Sequence, residues 1–372
     1  MFELSREAEE RAKRLLEDSV VVDTLAHALY TVSVFSPNML KRLDEFSQGV
    51  PTDIVCKKLA RMETDEIVDG SLKAYRELWE TSGVDVASVS LGQYVDVPTD
   101  IALWTRKFDS LDWLVKATSM KRIEEAKSAR KRAVILNFQF NPMGDDLGKL
   151  DYYYDLGVRI MQLTMNLKNS IGDGCLERTD CGLSRFGVQV LRRMNELGIV
   201  VDLTHSGRKT SLDAIEFSKK PVILSHATCS KIYETRRSSP DEVLRAVAQS
   251  NGYCGIMVPP FFLTSKENHP SLHHFFDHLE HAIGVMGIDK VGIGTDWGAH
   301  PEPFVARLNR WVLLQGFEED EEILYDEVTE GFEDWGKWPN STRGLVSRGY
   351  SDEEIKGILG GNFLRVFKEV VG

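Results

Sequence analysis

Three short apolar runs in this chain end on residues that can do chemistry. DLTH closes on His205, LSH on His226 and GIGTD on Asp296. Neutral imidazoles suit a zinc ion, and a carboxylate beside a metal-activated water can take its proton. One histidine at a strand end is more often structural than catalytic. Two on neighbouring strands, with an aspartate on the last strand, point to metal-dependent hydrolysis. A further run, DTLAH, puts Leu25 and His27 two apart, hence on one side of a strand. Arg236 and Arg237, in YETRRSSPDE, have the forked donors that grip a substrate carboxylate, although a solvated pair at a helix entry has the same sequence. Other constellations are weaker. HHFFDHLEHAI carries His273, His274, His278 and His281 at helical spacing and reads as an outer helix with exposed histidines. Cys175 and Cys181 lack partner histidines for a zinc knuckle, and no Gly-x-Ser-x-Gly elbow offers an activated serine.

The elements that must position these residues alternate between β-rich runs and helical patterns, the signature of a parallel sheet. The runs are Val20–Leu25, Val84–Leu91, Ala133–Phe138, Val158–Leu163, Ile199–Leu203, Pro221–Ser225, Tyr253–Val258 and Lys290–Thr295. Most are near-continuous Val, Ile and Leu, as strands covered on both faces require. Helical stretches between them include Ser184–Leu197, Lys209–Lys219 and Pro240–Ser250, the last with Ser239 as expected N-cap and Pro240 opening the helix. Eight such units favour a closed (β/α)8 barrel, of TIM type, over an open sheet, and no Gly-x-Gly-x-x-Gly follows any strand. In such a barrel the catalytic face is at the C-terminal strand ends. Two insertions, about 30–71 and 298–339, follow the first and eighth runs and are expected over that mouth, within one domain spanning 1–372.

The composition narrows the function classes. Apolar residues at 42% and charged residues at 27% exclude disordered, collagenous and coiled-coil chains. The net charge of −12 argues against nucleic acid or an anionic membrane as partner. The opening MFELSREAEERAKRLLEDS reads as a charged amphipathic helix rather than a signal peptide, and no apolar run is long enough to span a bilayer. Five cysteines, an odd number in a long chain, fit reduced thiols in a cytoplasmic protein.

The run LGVRIMQLTMNLKNSIGDG and the stretch GLSRFGVQVLRRMNELGIVVDLTHSGRKTSLDAIEFSKKPVILSHA resemble the membrane (renal) dipeptidases of the amidohydrolase superfamily, in their bacterial branch. NGYCGIMV, DKVGIGTDWG and GGNFLRVF extend the likeness over about residues 18–368. The resemblance implies a (β/α)8 barrel with a binuclear zinc site that hydrolyses dipeptides. It also implies that His205 and His226 bind one zinc, that Asp296 contacts the other and assists the attacking water, and that Arg237 holds the substrate carboxylate. Against that pattern, the family's strand-one His-x-Asp pair falls on Leu25 and His27, its bridging glutamate on Gln139 in LNFQF, and a histidine near the substrate on Met165 in LTMN. Two adjacent divalent cations need anionic ligands, and only Asp296 remains as one. The expectation is a hydrolase of a small amide or dipeptide-like substrate bearing a carboxylate. It has at most one zinc, on His205 and His226 with Gln139, His27 or Asp296 completing the set. Asp296 and His27 are the catalytic candidates, and Arg237 and Met165 face the substrate. A metal-free site serving a lyase or isomerase, and a non-catalytic binding protein, stay open as alternatives. The family likeness further implies a homodimer.

Overall fold

The computed structural model describes residues 1–47, 50–297 and 328–372. Its sheet is wholly parallel, with nine strands: β1 Val22–Asp23, β2 Val86–Ser90, β3 Leu114–Lys116, β4 Arg132–Phe138, β5 Val158–Gln162, β6 Val200–Asp202, β7 Val222–Ala227, β8 Tyr253–Ile256 and β9 Val291–Ile293. Eight of them run in the order β1-β2-β4-β5-β6-β7-β8-β9, and each coincides with one of the eight runs read from sequence. The circle closes where Thr24 N donates to Ile293 O at 3.2 Å and Asp296 N to Leu25 O at 2.8 Å. The fold is a (β/α)8 barrel. β3 was not expected: it is a three-residue strand that pairs only with the start of β4.

Burial explains why these runs are strands. β2, β5, β6, β7, β8 and β9 are buried at every position, so Val and Ile pack on both faces of the sheet. The bottom of the barrel is plugged by the C-terminal helix Asn362–Val371, whose Phe363, Val366 and Phe367 pack against Val22, Val86, Ile160 and Ile223. Inside, Gly255 and Gly294 make room where any side chain would collide. A Cβ on Gly294 would fall 2.0 Å from Ser225 O and 2.5 Å from Thr24 Oγ1, and one on Gly255 would fall 2.3 Å from the same carbonyl. Thr24 Oγ1 donates to Ser225 O across that space at 2.6 Å.

Helix ends follow their capping residues. Ser184 caps Arg185–Leu197, which stops at left-handed Gly198. The helix after β7 runs Asp241–Gln249 with Pro240 as its N-cap, one residue later than expected, because Ser239 is held by a backbone bond to Thr228 O. Two helices, Pro37–Ser47 and Thr52–Val68, build the first insertion. Most of the second lies outside the described residues; its end carries Trp335 and Trp338. The outer helix Leu272–Met286 corrects one expectation: His278 is fully buried, accepting from Cys229 N and donating to Leu263 O, both at 2.9 Å. All five cysteines are free thiols. Among the described residues no helix is long and apolar enough to cross a membrane.

Candidate active site

Strand ends bring the chemistry together. His226 lies within β7, His205 follows β6 and Asp296 follows β9, and all three are buried. His205 (φ 64°), Asp296 (φ 47°) and Asn166 (φ 55°) have left-handed backbones. Residues other than glycine seldom adopt that region, and such strain, about 1–3 kcal/mol each, clusters where side-chain aim matters. The result is a contiguous set. His205 Nε2 lies 3.1 Å from His226 Nε2, Gln139 Nε2 lies 3.4 Å from the same atom, and Asp296 Oδ2 lies 3.9 Å from it.

Behind the two histidines stand partners that reading the sequence missed. His205 Nδ1 meets Asn166 Oδ1 at 2.7 Å, and His226 Nδ1 meets Ser225 Oγ at 2.8 Å. Ser225 Oγ in turn donates to the buried Asp202 at 2.5 Å. Asp202 and Asp23 each close an apolar Val-Val-Asp run, and a buried acid at the end of such a run must find donors. Asp23 finds five: Leu25 N, Thr295 N, Thr295 Oγ1, and the indoles of Trp335 and Trp338.

The opposite wall, from the ends of β1, β2 and β4, presents apolar, imidazole, phenol and amide groups. Leu25 is buried, His27 Nε2 pairs with Tyr94 OH at 2.8 Å, and Tyr30 OH donates to Gln139 Oε1 at 2.7 Å. The loop carrying His27 and Tyr30 is pinned by Glu63 of the first insertion, whose carboxylate accepts from Val32 N, Ser33 N and Val34 N. Arg237 is also buried: it donates to His226 O at 2.9 Å, and its Nε has no partner among the described residues. It lines a cleft of ≈ 260 Å³ with His205, Cys175, Ser230 and Arg236. Met165 is half-buried and directly precedes Asn166.

Electrostatics match the burial. Burial holds both histidines well below the ordinary imidazole value, with the Arg237 guanidinium adding to the effect, so both are neutral. Burial lifts the Asp296 carboxyl to about 7, Arg237 pulling the other way. Among the described residues no group of three His, Cys, Asp or Glu stands ready to hold a metal ion. The two imidazoles nonetheless suit one: both are held neutral by burial, and their Nε2 atoms face each other at 3.1 Å. Among the described residues Asp296 supplies the anionic donor beside them, 3.9 Å from His226 Nε2. Gln139 has its oxygen engaged by a phenol and turns its NH2 inward, and Leu25 offers no donor. Among the described residues, the donors that suit an ion gather on the β6–β7 side.

A closed parallel barrel with paired histidines and an aspartate at the strand ends is a barrel of the amidohydrolase type. The chain belongs to the membrane dipeptidase family (peptidase family M19), whose family model matches residues 9–310 and 325–371. It is 30% identical over 255 residues to dipeptidase verJ of Clonostachys rogersoniana, covering 68% of this chain and 59% of that protein. The chain spans about half the length of the curated relatives it matches. Among solved structures it is similar to an amidohydrolase from Pseudomonas aeruginosa, at TM-score 0.75 and 26% identity over 97% of this chain and 99% of that one. It shares its fold with a metallo peptidase from Rhodobacter sphaeroides liganded with a phosphinate mimic of L-Ala-D-Ala, at TM-score 0.70 and 15% identity over 95% and 100%.

Proposed function

We propose that this chain hydrolyses a small amide or dipeptide-like substrate bearing a carboxylate, and that it works with one metal ion rather than two. The observation that carries this is the facing Nε2 pair at 3.1 Å beside Asp296, set against a wall on which Leu25 and Gln139 offer no carboxylate. Family membership supports the metal-dependent hydrolysis. His205 and His226 would hold the ion, zinc by their chemistry, with Asp296 as the anionic partner. Lewis acidity toward the scissile carbonyl and toward a water is what such an ion supplies when bound there.

The chain's own residues do the rest. Asp296 takes the proton of the attacking water and returns it to the departing amine, a task suited to a carboxyl poised at about 7. Arg237 lines the cleft and holds the substrate carboxylate. The inward NH2 of Gln139 stabilises the forming oxyanion. Reduced thiols and the family likeness support the companion reading of a cytoplasmic homodimer. The rival is metal-free catalysis on the same barrel, favoured by that wall. Metal analysis of protein purified without added metal tests both. At most one tightly held divalent ion per chain is expected. Two equivalents of zinc surviving dialysis overturn the mononuclear reading, and full activity of metal-free protein in chelator favours the rival.

A further inference from the structure

Proton accounting around the two histidines leads beyond the ligands themselves. Asp202 Oδ1 accepts from Thr204 N and Ser225 N, both at 3.0 Å, and from Thr204 Oγ1 at 2.7 Å. Backbone amides can only donate, so this oxygen is held as an acceptor. Ser225 has a single hydroxyl proton and directs it to Asp202 Oδ2. Toward His226 Nδ1 it therefore presents a lone pair, and that nitrogen carries the imidazole proton. On the other side Asn166 Oδ1, an amide oxygen, accepts from His205 Nδ1. Asn166 cannot drift: its carbonyl accepts from Leu176 N at 2.9 Å, and a Cβ on Gly174 would sit 2.1 Å from that carbonyl.

We propose that Asp202, Ser225 and Asn166 are positioning residues that hold both histidines in the Nδ1–H form, so that two bare Nε2 atoms face each other as a preformed seat for one cation. Lone pairs facing across 3.1 Å repel each other, and a divalent ion between them relieves that repulsion. The partners are contributed by three different elements: β6, β7 and the loop after β5. Outer partners of this kind orient ligands and are worth about 10–100-fold in metal affinity. The proposal rests on the one-ion reading for its affinity arm and is independent of it for its tautomer arm.

The experiment has two readouts. Long-range 1H–15N spectra of histidine-labelled, zinc-free protein are expected to show His205 and His226 as Nδ1–H. Zinc affinity, measured by competition with a chelator, is expected to fall about 10–100-fold in Ser225→Ala and to hold or tighten in Asn166→Asp, which keeps the accepting oxygen. Thermal melts identify any variant that has lost its fold, and the second variant then carries the affinity arm. Unchanged affinity in folded Ser225→Ala overturns the positioning role, as does a His226 found as Nε2–H. Wild-type protein that binds no zinc defeats the one-ion reading, and the spectra alone then decide the positioning role.

Discussion

Asp296 and Arg237 sit within one buried site, and their tasks separate on substitution. Asp296→Asn keeps the shape of the side chain and removes the proton acceptor, so turnover is expected to fall ~10²–10⁴-fold, the range for loss of a general base. Substrate affinity should change far less. Arg237→Met removes a charge-assisted contact worth roughly 1.5–3 kcal/mol and should raise KM most for substrates with a free carboxylate. Steady-state kinetics on the substrate, with melts as control, decide both; full turnover in Asp296→Asn removes the aspartate from the chemistry. His205, His226 and Asp296 could be placed at strand ends from the sequence because each ends or shortly follows a strand run, whereas Arg237 stood out only through the family resemblance. Asn166, Ser225, Asp202, Tyr30 and Tyr94 could not be singled out, because their partners are set by the circle of strands rather than by spacing. Tyr30 reaches Gln139 across 109 positions and Asp23 reaches Trp335 across 312. The one available signal was the pair of Val-Val-Asp runs.

At the scale of elements, periodicity located all eight barrel strands because their apolar runs are nearly unbroken. It missed β3, whose Leu-Val-Lys is too short and too polar at its end to register. It also misjudged the outer helix Leu272–Met286, since spacing identifies a helical face but not the Pro260–Leu263 segment that covers His278. That burial has a pH consequence. The folded value of His278 is held down to about 4 from 6.5, so between those limits the unfolded chain binds a proton that the folded chain refuses. Its contribution is complete above pH 6.5 and is lost as the pH falls toward 4, on the order of 3 kcal/mol. His278→Leu should be less stable than wild type at pH 7 by urea denaturation, and the gap should close by pH 4.5. A gap that stays constant with pH rules this out.

For the whole molecule the critical place is the seam between the first and last strands. Asp23 gathers donors from the residues after β1, from those after β9 and from the end of the second insertion, so one carboxylate ties together both ends of the barrel. Asp23→Ala leaves those buried donors unpaired, at about 1–3 kcal/mol for each group left unsatisfied. A lowered melting temperature should be accompanied by red-shifted tryptophan emission as Trp335 and Trp338 lose their acceptor. A wild-type melt and spectrum would show that the seam does not depend on it. The wall opposite the histidines also bears on how such a protein can change by mutation. Gln139→Glu alone would place a second buried carboxylate near Asp296 without the ligands to hold a second ion, because Leu25 offers no donor and His27 is committed to Tyr94. Leu25→His or His27→Asp alone would likewise add a polar group with nothing to bind. Each single step toward a two-ion centre is a loss until several are made together, so accumulating point mutations cannot easily retrace the difference, and this barrel is held to its own chemistry by the depth of that valley.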